Sequence, residues 1–238
     1  MEKNPDEIKK FWDDKAKTHG EDWTATLGEQ YLRLLEVKTM TRLIRRYGPR
    51  NVLDVGCGNG YSTKIYARRF PRIQFVGIDY SEKMIFHARK SQIQNCSFSV
   101  GDVLLFDSFP NGQFDLIISQ RCLQNLVDYE TQSMAIRNML RKKSPRGILI
   151  LMECSKDGVE QLNRTRMKFA KQAIEGIEPW HNTFLVDQKM IQDFGARIAH
   201  FSSTYMFLSK IIDPRLSFLG YALPAVGKFG YDKLYQIG

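Results

Sequence analysis

The chain has 238 residues, 43% of them hydrophobic and 26% charged, with a formal net charge of +9. That length suits one well-buried α/β domain, and the composition excludes a disordered chain. No apolar run approaches the roughly 20 residues that span a bilayer, and the charged start MEKNPDEIKKFWDDK lacks the apolar core of a leader peptide, so a cytoplasmic location is expected.

Residues 1–46 read as two helices, with apolar positions at Ile8, Phe11 and Trp12 and then at Tyr31, Leu34, Leu35 and Val37. A short apolar strand at 51–55 leads through a glycine turn into a helix over 62–70. A second strand at 73–78 is followed by a helix over 82–92, and a third strand lies at 96–100. The fourth, FDLIIS at 114–119, precedes a helix over 128–142, and GILILM at 147–152 is the fifth. Strands alternating with helices indicate βαβ units and a parallel sheet, and runs such as LIIS and ILILM suit strands buried on both faces. Beyond them come a long helix over 158–175, the segment EPWHN, a short helix near 187–194, a sixth strand over 197–211 and a seventh over 233–237. No internal repeat or low-complexity linker interrupts the chain. It divides into a helical cap (1–46), a core (47–154), a helical insertion (155–196) and C-terminal strands (197–238).

Cys57, Cys96, Cys122 and Cys154 lie far apart, without a C-x-x-C pair or a His-Cys cluster, so neither a metal site nor a disulfide framework is read from them. The basic residues are scattered as Arg42-Arg45-Arg46, Arg68-Arg69 and Arg141-Lys142-Lys143. At helix C-terminal ends they favour the helix dipole, although an excess of positive charge also suits an anionic partner.

The turn VLDVGCGNGYS is informative in its spacing. A dinucleotide fingerprint is G-x-G-x-x-G, whereas here the third glycine comes one residue early, with Tyr61 where the dinucleotide glycine belongs. No Gly-Lys-Ser/Thr follows, which excludes a P-loop. Asp54 sits inside the strand, two residues before Gly56. Asp79 closes the second strand, 25 residues after Asp54, and Asp102 follows the third. Each acid alone also reads as a turn residue or a helix cap.

Together these residues resemble the class I S-adenosylmethionine-dependent methyltransferases, over residues 46–154. The resemblance implies a doubly wound, mostly parallel seven-stranded Rossmann-like α/β sheet with an antiparallel last strand and an N-terminal helical cap. It implies that Asp54, Gly56, Gly58, Asn59 and Gly60 form the cofactor loop and that Asp79, beside Tyr80, accepts bonds from both ribose hydroxyls. Asp102 then reads the adenine amino group, the Val103 amide meets the ring, and Gln120 runs along the methionine moiety. FWDDKAKTHG, TLGEQYLRLLE, QRCLQNL, LNRTR and PWHN further resemble a bacterial subgroup acting on metabolites or polysaccharide precursors. In that subgroup the N-terminal helices close over the cofactor, so Trp23, Thr26, Tyr31 and Arg33 become lid residues, with Tyr31 or Arg33 near the methionine carboxylate. The alternative is that Trp12, Trp23 and Tyr31 form an apolar helix face packed on the core, with Arg33 on the solvated side.

Three residues are candidates for the chemistry. His181 in EPWHN is a candidate base for an alcohol or amide acceptor, or a side chain packed under Trp180. Glu153, just past the fifth strand, is a second base candidate, or a group that positions neighbouring backbone. Arg121, if buried, favours an anionic acceptor. His19, His87 and His200 read as structural. The resembling DNA enzymes carry an Asn-Pro-Pro-Tyr-type loop where this chain has SQRC, so DNA is not expected as a partner. The expected function is methyl transfer by in-line displacement to a small polar, anionic or sugar-type acceptor. An RNA methyltransferase, disfavoured because no RNA-binding module is visible, and a non-catalytic cofactor-binding scaffold remain the alternatives. The oligomeric state, including a homodimer, stays open.

Overall fold

Strands buried on both faces need apolar side chains pointing both ways, and this sequence supplies them. Val52, Leu116, Ile118, Ile150 and Met152 fill the core on one side of the sheet, and Leu53, Val55, Ile117, Leu149 and Leu151 fill the other. That is the period-two alternation of a pleated strand. The computed structural model describes residues 4–174 and 183–238. Its strands are β1 (Asn51–Val55), β2 (Gln74–Asp79), β3 (Cys96–Val100), β4 (Phe114–Gln120), β5 (Lys143–Cys154), β6 (Arg197–His200) and β7 (Asp232–Ile237). They form a seven-stranded sheet in the order β3-β2-β1-β4-β5-β7-β6. β1 to β5 pair in parallel, and β7 lies antiparallel between β5 and β6. The direction of winding reverses between β1 and β4. In open α/β sheets that switch point, at the carboxyl ends of the strands, is where ligands bind.

The cap consists of α1 (Pro5–His19), a 3₁₀ turn at Trp23–Ala25 and α2 (Gln30–Tyr47). α1 begins with a capping box between Asn4 and Glu7, has Pro5 in its first turn, and buries Ile8 and Ala16. α3 (Tyr61–Arg69), α4 (Glu82–Lys90), α5 (Tyr129–Lys142), α6 (Lys156–Lys168) and α7 (Asp187–Phe194) complete the layers over the sheet. No helix among the described residues is long and apolar enough to cross a membrane.

Three expected elements differ. The fifth strand is longer than 147–152, because Pro145 and Gly147 sit in a register irregularity between the Phe114–Lys143 and Leu116–Ile148 pairs. A bulge tolerates a proline that a regular ladder would not. The helix expected over 158–175 ends at Lys168, two residues before Ala170 takes a left-handed φ of 53°. The sixth strand, expected over 197–211, stops at His200, and the chain turns helical through α8 (Ser203–Met206) and a π-helical segment at Phe207–Ile212. Phe, Thr, Tyr and Ile there have strand propensity, yet the buried Phe201, Tyr205 and Ser209 recur every four residues. Burial periodicity outweighs propensity. A last short helix, α9 (Ser217–Ala222), precedes β7.

Candidate active site

The glycine turn lies between the ends of β1 and β2. The amides of Gly56 and Cys57 both donate to the Ile78 carbonyl, at 2.8 and 3.0 Å. The Gly58 amide donates to Asp79 Oδ2 at 2.8 Å, and the Ser81 amide to Asp79 Oδ1 at 2.9 Å. Gly58 has φ 55°, and a Cβ built on it falls 2.7 Å from Thr26 Cγ2, so a side chain is excluded twice over. Behind the turn, Asp54 accepts from Thr63 Oγ1 at 2.5 Å. Burial pushes both Asp54 and Asp79 up to about 6, against the opposing pull of these hydrogen bonds.

A cavity opens above this turn. Its floor is Gly56, Gly58 and Asn59, and its sides are Asp79, Tyr80, Asp102, Val103, Gln120 and Arg121. Pro5, Ile8 and Trp12 of α1, with Thr26 and Arg33, form the roof. Asp102 Oδ1 accepts from the Leu104 amide at 2.8 Å, and Asn138 Nδ2 holds the Val103 and Leu104 carbonyls at 3.0 and 3.1 Å, which fixes the loop after β3. Gln120 is held by the Tyr66 hydroxyl at 3.1 Å. The roof is tied down as well. Ser81 Oγ donates to Asp13 at 2.6 Å, and Lys64 pairs with Glu21 at 3.3 Å.

Arg33 is 6% exposed. Its Nη2 donates to Thr26 Oγ1 at 2.6 Å, and Nη1 lies 3.5 Å from Glu36. Its Nε is buried with no partner, as is the Tyr80 hydroxyl. Buried donors of this kind normally have an acceptor, so these two leave hydrogen-bonding capacity unused at a cavity wall.

Arg121 is buried, but it does not present the unbalanced positive charge expected for gripping an anionic acceptor. Its guanidinium lies 2.7 Å from Glu36 Oε1 and 2.8 Å from Asp232 Oδ1. Glu36 and Asp232, neither of them a candidate from sequence, compensate it. Glu36 had one visible signal: it lies three residues from Arg33, beside the apolar positions Leu32 and Leu35. Asp232, far along the chain, had none.

Glu153 does not line the cavity and is not placed as a base. Its carboxylate is 1% exposed and turned to the backbone, accepting from the amides of Cys122, Leu123 and Gln124 at 2.9, 3.0 and 3.4 Å. Burial still pushes it up to about 7. Its role is to hold the loop after β4. Tyr31 also lies away from the cavity, with its ring 5.7 Å from Phe218 and 6.1 Å from Tyr221. Gly60 caps α3 with φ 73°, and a Cβ there falls 2.7 Å from the Phe98 ring, so close packing and not the cavity requires it. His181 lies outside the described residues.

A second cavity shares Trp12, Thr26 and Arg121 with the first and extends toward α6 and the start of β7. His19, read from sequence as structural, lines it. Nothing in its position at the end of α1 distinguishes it in the sequence from a helix-terminal histidine.

The methyltransferase domain family matches residues 49–195. A trans-aconitate 2-methyltransferase of Yersinia pestis is 30% identical over 165 residues, which cover 68% of this chain and 59% of that relative. The chain therefore spans less than two thirds of this relative's length. Among solved structures, magnesium protoporphyrin IX methyltransferase of Synechocystis with bound SAH superposes over 98% of both chains, with a TM-score of 0.64 and 17% identity. The N-methyltransferase NodS of Bradyrhizobium japonicum with S-adenosyl-L-homocysteine covers 68% of this chain and 79% of its own, with a TM-score of 0.52 and 22% identity. At these identities the structural likenesses speak for the fold.

Proposed function

The chain belongs to the methyltransferase domain family, and on that footing we propose that it is an S-adenosylmethionine-dependent methyltransferase acting on a small-molecule acceptor. One observation carries the reading. Asp79 stands at the switch-point end of β2 with one backbone amide on each oxygen, lining the cavity beside Asp102. Each carboxylate oxygen accepts more than one bond, so Asp79 retains capacity for a vicinal diol such as the ribose of this cofactor.

The other residues fit the same ligand. Arg33 Nε, buried and unpartnered at the roof, suits the methionine carboxylate. Asp102 and Val103 stand where an adenine would be read, and Gly56 and Gly58 let the ligand approach the backbone. S-adenosylmethionine supplies a methyl group on a sulfonium, which an acceptor's lone pair takes by in-line displacement. The chain's own contribution is alignment and exclusion of water, effects worth up to about 7–11 kcal/mol when two reactants are held in line. α1 serves the exclusion, and the Glu153-braced loop after β4 serves the alignment. The pairs Arg45–Arg46, Arg68–Arg69 and Arg141–Lys142 close the last turns of α2, α3 and α5, which favours the helix-dipole reading of the positive charge over a nucleic-acid one.

Calorimetric titration with S-adenosylhomocysteine tests the assignment. The wild-type chain binds, and Asp79→Ala and Gly58→Val each lose binding. Unchanged affinity in both variants would overturn it.

A further inference from the structure

The second cavity differs in chemistry from the first. Its walls carry Phe11, Trp12, Leu27, Leu32, Phe184 and Tyr231. The Phe184 and Tyr231 rings lie 9° from parallel with centroids 6.3 Å apart, so they offer flat aromatic surface. The charged groups on these walls are already engaged. Arg121 is held between Glu36 and Asp232, Glu29 accepts from Lys210 and Tyr205, and the Lys15 ammonium lies over the Phe11 ring. A polycarboxylate placed here would have to displace those partners.

His19 adds a directed base. The Thr24 hydroxyl donates its one proton to Asp22 Oδ1 at 2.6 Å. Its oxygen can therefore meet His19 Nδ1, at 2.8 Å, only by accepting. Nδ1 thus carries the imidazole proton, and the ring's lone pair is left on Nε2. Asp22, Thr24 and His19 orient the base as a carboxylate orients a histidine in hydrolytic triads. Asp22 is itself anchored to the glycine turn, because Asn59 Nδ2 donates to its carbonyl at 2.8 Å.

We infer that the second cavity takes a flat, uncharged aromatic acceptor bearing a hydroxyl group, and that His19 is the general base that removes the hydroxyl proton. This rests on the methyltransferase reading above. In the step, His19 Nε2 takes the O–H proton while the oxygen lone pair forms a bond to the sulfonium methyl carbon. The carbon–sulfur bond breaks with its electrons going to sulfur, leaving an aryl methyl ether, S-adenosylhomocysteine and an imidazolium. Trp12, Thr26 and Arg121, common to both cavities, form the boundary across which the methyl group passes.

The test uses the full chain. Protein saturated with S-adenosylhomocysteine is titrated in a calorimeter with a panel of mono- and dihydroxybenzenes, naphthols and hydroxycoumarins, and separately with trans-aconitate. Panel members that bind are then assayed for turnover with S-adenosylmethionine. At least one phenol is expected to bind and to be methylated, and trans-aconitate is not. His19→Gln is expected to keep affinity for S-adenosylhomocysteine and the phenol while losing about 10²–10⁴-fold in kcat. Thr24→Val, which cuts the link to Asp22, gives a smaller fall in kcat with KM unchanged. If S-adenosylhomocysteine binds but no phenol does, or trans-aconitate is methylated, the acceptor assignment is overturned and the methyltransferase reading stands. Full kcat in His19→Gln overturns the base. Failure of the wild-type chain to bind S-adenosylhomocysteine removes both.

Discussion

The side-chain amide of Asn59 holds the Gly20 carbonyl at 2.9 Å, tying the glycine turn at the floor of the cavity to the end of the helix that roofs it. The same nitrogen reaches the Asp22 carbonyl at 2.8 Å, so one residue closes both sides of the bend after α1. Asn59 is 1% exposed, and its loss takes a donor from the Gly20 carbonyl and leaves the Asp22 carbonyl with the Ala25 amide alone. Asn59→Ala is expected to cost about 1–3 kcal/mol. The loss appears as a lower urea midpoint together with faster amide exchange in α1, while α5 exchanges at its wild-type rate. Uniform acceleration across both helices would show that Asn59 does not act as a local tie.

Arg121 is the cation shared by Glu36 and Asp232, which are 0% and 2% exposed, and removing it strands Asp232 while leaving Glu36 with Arg33 alone, 3.5 Å away. Arg121→Met is expected to destabilise the fold by about 3–5 kcal/mol, the scale for breaking one side of a buried pair. Adding Asp232→Asn neutralises the stranded acid and is expected to recover part of that loss in chemical denaturation. No recovery would mean that Arg121 matters through packing or through its left-handed backbone, φ 56°, and not through charge.

Most of the sheet was legible in the sequence because burial on both faces leaves a continuous apolar run, as in FDLIIS and GILILM. The glycine turn and its contact with Asp79 were legible because Gly58 and Asp79 are dictated by backbone geometry that local sequence encodes. Three other features were not. Glu153 and Arg121 stand where catalytic groups are expected, and only the fold shows one turned to three backbone amides and the other neutralised by partners 85 and 111 residues away. The end of β6 was hidden because Tyr and Ile residues that favour strands are here buried along one side of a helix.

Asp79 gives the cavity above the glycine turn a defined response to acid. Burial holds it up to about 6, above the ordinary 3.8, so the folded chain binds this proton more tightly than the unfolded one. Its contribution to folding stability is therefore present below pH 3.8 and is lost as the pH rises through about 6, a change on the order of 3 kcal/mol. Ligand binding runs in the opposite direction, because a diol donating to Asp79 stabilises the carboxylate and lowers its pKa. Affinity for S-adenosylhomocysteine is expected to be flat above pH 7 and to fall by up to about tenfold per unit below pH 6, with proton release on binding. Calorimetry in two buffers of different ionisation enthalpy measures both, and affinity that rises on acidification would contradict the assignment.

Gly58 and Thr26 are coupled by contact, which a four-protein cycle can separate from backbone strain. In Gly58→Ala the new Cβ falls 2.7 Å from Thr26 Cγ2, and the residue must hold φ 55°. The left-handed conformation alone costs about 1–2 kcal/mol, and the overlap adds to it. Thr26→Ser removes the offending methyl group and keeps the hydroxyl that accepts from Arg33. The double variant Gly58→Ala/Thr26→Ser is therefore expected to regain the overlap penalty but not the backbone one, a coupling of about 0.5–3 kcal/mol in urea denaturation. Strict additivity of the two single changes would show that the turn moves away from Thr26 and that backbone strain alone fixes glycine at this position.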